Sequence, residues 1–254
     1  MRPSMKKIGI LGGIAWPSTV EYYAGLCRIA EQRHAHSGGC GPAAMPEMAI
    51  ESLDLATATA LLGRDDAEAS WYAFDAYHRE GLRRLQRSHA EFAVIACNTA
   101  HHRLVEITRG IDIPVLNILD VAAATCARLG IERVLILGTR IVMTSPFLRS
   151  VFLRRGIAAC GPRRHSDRQA TIAVIEALAR GSNAGASRRI HDIVMDARTG
   201  NAPRSSAVYL GCTELPLAFA AHKADGVFES DGIRYINSTA LHIQAAFEYA
   251  IRGS

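Results

Sequence analysis

No apolar run in this 254-residue chain reaches the length of about 18 to 20 residues that a membrane-spanning helix requires. The longest apolar stretches are strand-length and broken by Gly or charge, and the early run Ile8 to Trp16 is too short and too Gly-rich for a signal peptide. Both features argue against a membrane and for the cytoplasm. Nor are the basic residues gathered. The net charge is +5, but Lys and Arg are dispersed among acids with no interleaved aromatics, and Arg83-Arg84 and Arg163-Arg164-His165 are too short to make a stripe. A nucleic-acid partner is therefore not expected, whereas a mildly positive cleft would concentrate small acidic molecules. There is no CxxC and no paired Cys/His spacing, and the adjacent His101 and His102 on one helix would point apart, so no metal is expected. A GxGxxG is missing after the first strand, which argues against a dinucleotide. The six cysteines are widely spaced without a secretory signal and are read as reduced, with Cys27 and Cys126 in apolar helix-like segments as inert thiols.

What the chain does have is alternation. Short apolar strands are expected over 7–11, 48–52, 92–96, 115–116, 134–137, 157–160, 208–210 and 235–236. Amphipathic helices are expected over 17–31, 67–88, 100–107, 118–129, 145–155, 169–181, 187–197 and 239–251. The alternation implies an α/β protein with mostly parallel, doubly wound sheets. An internal repeat divides it. Ile8-Gly9-Ile10-Leu11-Gly12-Gly13 parallels Val134-Leu135-Ile136-Leu137-Gly138-Thr139, and each copy precedes a strand that ends in Cys. We therefore expect two pseudo-symmetric domains, residues 1–117 plus 215–254 carrying Cys97 and residues 118–214 carrying Cys212, with an active-site cleft between them.

The two cysteines stand in matching frames, Ala93-Val94-Ile95-Ala96-Cys97-Asn98-Thr99-Ala100-His101 and Val208-Tyr209-Leu210-Gly211-Cys212-Thr213-Glu214-Leu215-Pro216. A residue just past the carboxyl end of a parallel strand faces the crevice where ligands bind. Two thiols so placed suit proton transfer at a carbon, since a thiolate is a competent base and its conjugate thiol a competent acid. The turn into each following helix offers backbone N–H groups and a positive helix end. Asn98, Thr99 and Thr213 add short polar groups that can equally cap those helices. The plain alternatives are two buried cysteines that happen to end strands, or a redox disulfide. The matched frames disfavour the first, and the polar companions the second.

Cys97-Asn98-Thr99 with Gly211-Cys212-Thr213-Glu214, preceded by the Gly12-Gly13 loop, resembles the cofactor-independent aspartate/glutamate racemase superfamily. The aspartate racemase branch is the most similar, since Gly-Gly stands where glutamate racemases open with Asp-Ser-Gly, and Glu214 stands where they carry His. The resemblance implies cofactor-free racemisation of aspartate or glutamate in a homodimer, with Cys212 taking the α-proton of the L-enantiomer and Cys97 that of the D-enantiomer. By matching position it assigns substrate binding to Ser52, Thr139 and Arg168; from the residues themselves, Gly12 and Gly13 offer backbone amides to a carboxylate, Asn98, Thr99 and Thr213 offer short polar groups, and Glu214 can orient the thiol or accept from the substrate ammonium, against the plain readings of turn, cap and helix-dipole partner. Arg168 suits a carboxylate because its planar fork binds both oxygens. One departure is Val142, where the relatives often carry a second Thr after Gly-Thr. A maleate-type isomerase or decarboxylase of the same superfamily would use the same two cysteines, and a non-catalytic binder of an acidic metabolite is the remaining alternative.

Overall fold

The computed structural model describes residues 5–64, 67–197 and 205–252, and the chain divides into two compact units, Met1–Asn117 with His242–Ser254 and Ile118–Leu241. The first unit runs β1 (Ile8–Gly12), α1 (Trp16–His36), β2 (Met48–Ser52), α2 (Leu55–Ala60), α3 (Tyr72–Arg87), β3 (Phe92–Ile95), α4 (Leu104–Ile107) and β4 (Val115–Leu116). Its strands form one parallel sheet in the order β2-β1-β3-β4. β1 and β3 are buried throughout, as strands covered on both faces must be, and that is why they read as unbroken apolar runs. Ile8, Ile10, Phe92 and Val94 pack with Tyr22 and Leu26 of α1 in one core cluster. On α3 the buried Phe74, His78, Gly81, Leu82 and Leu85 recur at helical spacing and make one face. Gly81 is small enough there for Leu11 to lie against its backbone.

The second unit runs α5 (Ile118–Arg128), β5 (Arg133–Gly138), α6 (Arg140–Thr144), α7 (Pro146–Leu153), β6 (Ala158–Cys160), α8 (His165–Ala179), α9 (Ala186–Ala197), β7 (Ser206–Gly211), β8 (Val227–Ser230), β9 (Ile233–Asn237) and the start of α10 (Ser238–Ile251). Its sheet has the order β6-β5-β7-β9-β8, parallel except for the β8–β9 pair. Without the edge strand β8, this is the order of the first sheet, with β5 in the place of β1 and β7 in that of β3. The repeat seen in the sequence is thus a repeat of topology. Ile118 to Cys126 of α5, with Val151 and Phe152 of α7, fills one side of the sheet. Val174 and Leu178 of α8 with Ile190 and Val194 of α9 fill the other.

The return to the first unit comes later than the sequence pattern suggests. That pattern places residues 215–241 in the first half, but β9 pairs with β7 and β8 with β9, which holds this stretch in the second sheet. The chain rejoins the first unit at His242, within α10, and Ile243, Ala246, Phe247 and Ala250 complete that unit's core. Two expected helices also divide. The 67–88 segment is a 3₁₀ turn, Glu68–Trp71, followed by α3, and the 100–107 segment is a 3₁₀ helix, Thr99–Arg103, followed by α4. α2, α6 and β8 add to the expected elements.

Candidate active site

In the first unit, strand register brings the expected residues to one edge. Gly12 is aligned with Ser52 and Leu11 with Ile95, so Ser52, the Gly12-Gly13 turn and Cys97 all leave the sheet at its carboxyl side. Gly13 has φ 82°, and a Cβ there would run into the Leu53 backbone and Ser52 Oγ. Its N–H donates to Thr19 Oγ1 at 2.9 Å, so this amide is engaged within the turn. Cys97 is half-buried, and Asn98, 3% exposed, begins the 3₁₀ helix that carries Thr99 and His101. The His101 ring lies over its own turn, with Nδ1–H donating to the Cys97 carbonyl at 2.8 Å. Behind it, the His242 ring meets His101 edge-on at 5.8 Å between centroids. His242 Nε2–H donates to the Leu116 carbonyl at 3.1 Å, which leaves Nδ1 to accept from the Tyr22 hydroxyl at 2.7 Å. Burial, and then the neighbouring His101, pull the His242 pKa down to about 3, so the ring is neutral.

In the second unit, Gly138 is aligned with Gly211, and Leu210 with Asn237. Cys212 follows β7 directly and is 9% exposed. Its Sγ–H donates to Glu214 Oε2 at 2.9 Å, and Thr213 Oγ1 donates to the same oxygen at 3.1 Å. Glu214 is itself buried. Glu214 is thus the side-chain hydrogen-bond partner of the Cys212 sulfur. Thr139 caps α6, its Oγ1 accepting from the Val142 N–H at 3.4 Å. Val142 lies buried against Gly138 and Gly211, where a Cβ would come within 2.6 and 2.7 Å of its Cγ1. Val142 therefore fills a packing site between the ends of β5 and β7.

Arg168 stands in the first turn of α8, and its Nη1 donates to the Pro162 and Arg163 carbonyls at 2.8 Å each. Those bonds tie one nitrogen of the guanidinium to the loop before α8. Of the remaining cysteines, Cys40 and Cys160 are exposed, Cys27 is half-buried, and burial pushes the Cys126 thiol up to about 12, which makes it inert near neutral pH. Sequence reasoning missed two groups packed around the 3₁₀ helix that follows Cys97. One is the Tyr22–His242 pair, and the other is Arg103 with Asp75 and Glu68, which is held by an ion-pair network. Their partners come from distant parts of the chain, and neither leaves a local motif.

The family model for Asp/Glu/hydantoin racemases matches residues 11–246. Among solved structures, an aspartate racemase homologue from Pyrococcus horikoshii is 25% identical with a TM-score of 0.74, over 97% of this chain and 99% of that one. The aspartate racemase of Picrophilus torridus is 20% identical with a TM-score of 0.70, over 96% of this chain and 94% of that one. The glutamate racemase of Campylobacter jejuni shares the fold at 17% identity and a TM-score of 0.60, over 95% of this chain and 85% of that one.

Proposed function

The chain belongs to the Asp/Glu/hydantoin racemase family, and from that premise we propose that it racemises aspartate or glutamate without a cofactor, using Cys97 and Cys212 as the proton-transfer pair. The observation that carries the reading is topological. Cys97 follows β3 and Cys212 follows β7, and these strands hold the same place in two sheets of the same strand order. Inversion at the α-carbon requires a base for one face and an acid for the other, and two thiols in equivalent places of a repeated fold are the pair we propose for it.

In this reaction one cysteine, as thiolate, takes the α-proton. The C–H bond breaks, an S–H bond forms, and the electron pair left on the α-carbon is delocalised into the adjacent carboxylate. The other cysteine, as thiol, delivers its proton to the opposite face and becomes the thiolate. The pair has then exchanged roles and no electrons have been gained or lost. We assign Cys212 to the L-enantiomer and Cys97 to the D-enantiomer. The Sγ–Oε2 bond supports a role for Glu214 in holding Cys212 as the proton donor. Ser52, Gly12, Asn98, Thr99 and Thr213 are proposed to receive the substrate's carboxylates and ammonium, since they surround the two strand ends. Gly13, Thr139 and Arg168 are proposed to shape these turns, given the bonds they already make. A homodimer in the cytoplasm completes the proposal.

The test is proton NMR in D2O with L-Asp, D-Asp, L-Glu, D-Glu and a 5-substituted hydantoin, followed by chiral analysis. Loss of the α-proton signal together with the opposite enantiomer is expected for at least one acidic amino acid, and Cys97→Ser or Cys212→Ser should abolish racemisation. Full-rate racemisation by either single variant would overturn the two-thiol mechanism. Exchange with the hydantoin alone, or with none of the five, would overturn the substrate and leave a hydantoin racemase or a superfamily isomerase or decarboxylase.

A further inference from the structure

We propose that Arg103, with Asp75 and Glu68, is a positioning clamp that sets the direction of the Cys97 thiol; the proposal rests on the proton-transfer role given to Cys97 above. Arg103 is the last residue of the 3₁₀ helix Thr99–Arg103 that begins two positions after Cys97. Short 3₁₀ helices have poor hydrogen-bond geometry, so contacts from outside weigh heavily on their conformation. At its start, His101 Nδ1–H holds the Cys97 carbonyl at 2.8 Å. At its end, the Arg103 guanidinium makes two forks. Nε and Nη2 donate to the Asp75 carboxylate at 3.1 and 2.7 Å, and Nη1 and Nη2 donate to the Glu68 carboxylate at 2.9 and 2.6 Å.

The surroundings make this geometry rigid. The Arg103 side chain is 9% exposed and that of Asp75 is 4% exposed. Arg103 Cζ lies 5.6 Å from the centroid of the Trp71 ring, which also meets the His102 ring at 5.2 Å. Trp71 is itself fixed by its indole N–H to the Arg64 carbonyl at 3.0 Å and by the space that Gly63 leaves beside it. Both sides of the clamp thus bear on residues 101–103, directly after the reactive turn.

Net stability is a weak reason for such an arrangement. Removing an Arg and an Asp from water costs about as much as their attraction returns, and well-packed apolar side chains would hold the fold at least as firmly. What two bidentate forks add is direction, because a planar guanidinium between two carboxylates has one orientation where a methyl cluster has many. Asp75 lies on α3, the helix that packs against β1 and β3, so the clamp refers the turn to the sheet that ends at Cys97. Direction matters for a proton-transfer thiol, whose donor and acceptor must lie within hydrogen-bond reach of the α-carbon.

The experiment compares wild-type protein with Arg103→Lys, which keeps the charge but loses the fork, and Glu68→Gln, which removes only the outer carboxylate. Arg188→Lys, in an exposed helix pair with Asp192, is the control. Two readouts are taken: kcat and KM for each enantiomer, and the rates at which iodoacetamide alkylates Cys97 and Cys212, resolved by peptide mass spectrometry. In Arg103→Lys we expect kcat to fall by about 10-fold to 100-fold, the size of loss that follows a misplacement of about 1 Å, with KM unmoved. The Cys97 alkylation rate should change while that of Cys212 holds. Glu68→Gln should show the same signature more weakly, and Arg188→Lys should match wild type. A folded Arg103→Lys with wild-type kcat and wild-type Cys97 alkylation overturns the proposal. Equal change at both thiols overturns it too, as a general loosening. Should Arg103→Lys not fold, Glu68→Gln decides alone, since its side chain is 64% exposed. Alkylation needs no turnover, so a protein inactive on every amino acid would overturn the racemase reading while the alkylation rates still test the clamp.

Discussion

At Gly13 the backbone turns through φ 82°, and a methyl group there would strike both the Leu53 backbone and Ser52 Oγ. Gly13→Ala should therefore destabilise the first unit by about 1 to 3 kcal/mol through strain at positive φ, with the clash adding to it. Urea unfolding should show a lower midpoint at unchanged slope, and a variant as stable as wild type would refute the account. The cysteines and this glycine are legible in the sequence for the same reason. A residue at the end of a buried strand is constrained by the strand before it, and that constraint is written in adjacent positions. Arg103 is different, since its partner Asp75 is 28 positions away and no period links them. Arg168 shows what sequence leaves out. Arg suits a carboxylate in the abstract, but carbonyl oxygens of its own loop engage it.

Among the elements, length and burial decide what can be read. β1, β3, β5 and β7 are largely buried on both faces and announce themselves as apolar runs. β8 pairs on one side only and is partly exposed, so Val227 to Ser230 carries no such run. α2 and α6, of six and five residues, are too short for a hydrophobic period to show. α1 is expected over 17–31, and the structure adds an outward face. Trp16, Val20 and Tyr23 fall at helical spacing and are 68%, 52% and 50% exposed.

For the whole molecule, pH acts unevenly. Burial, as the first cause in each case, lowers the His78 pKa to about 4 and the His242 pKa to about 3, and both residues lie in the first unit. The unfolded chain binds those protons near pH 6.5, so between about 6.5 and the folded values it carries more protons than the native state, and stability rises with pH. The contribution is complete above about 6.5 and is lost as pH falls, with a slope of about 1.4 kcal/mol per pH unit for each histidine. Urea unfolding at pH 7, 6 and 5 should show this slope, and His242→Gln should remove one histidine's share. An unchanged slope in that variant would contradict the assignment. At this scale the sequence discloses the repeat, because strand-turn motifs recur. It conceals where the second unit ends, because that depends on β9 pairing with β7 and on no local signal.

The late return of the chain also sets an order of assembly during translation. The strands of the first sheet leave the ribosome first, yet Ile243, Ala246, Phe247 and Ala250, which close its core, are made after every strand of the second. The Lys6 N–H waits as long for its acceptor, the Ala250 carbonyl at 2.8 Å. The unit begun earliest is therefore finished last, and the core around Ile8, Ile10, Phe92 and Val94, which α1 covers in part, stays incomplete in the nascent chain until α10 emerges.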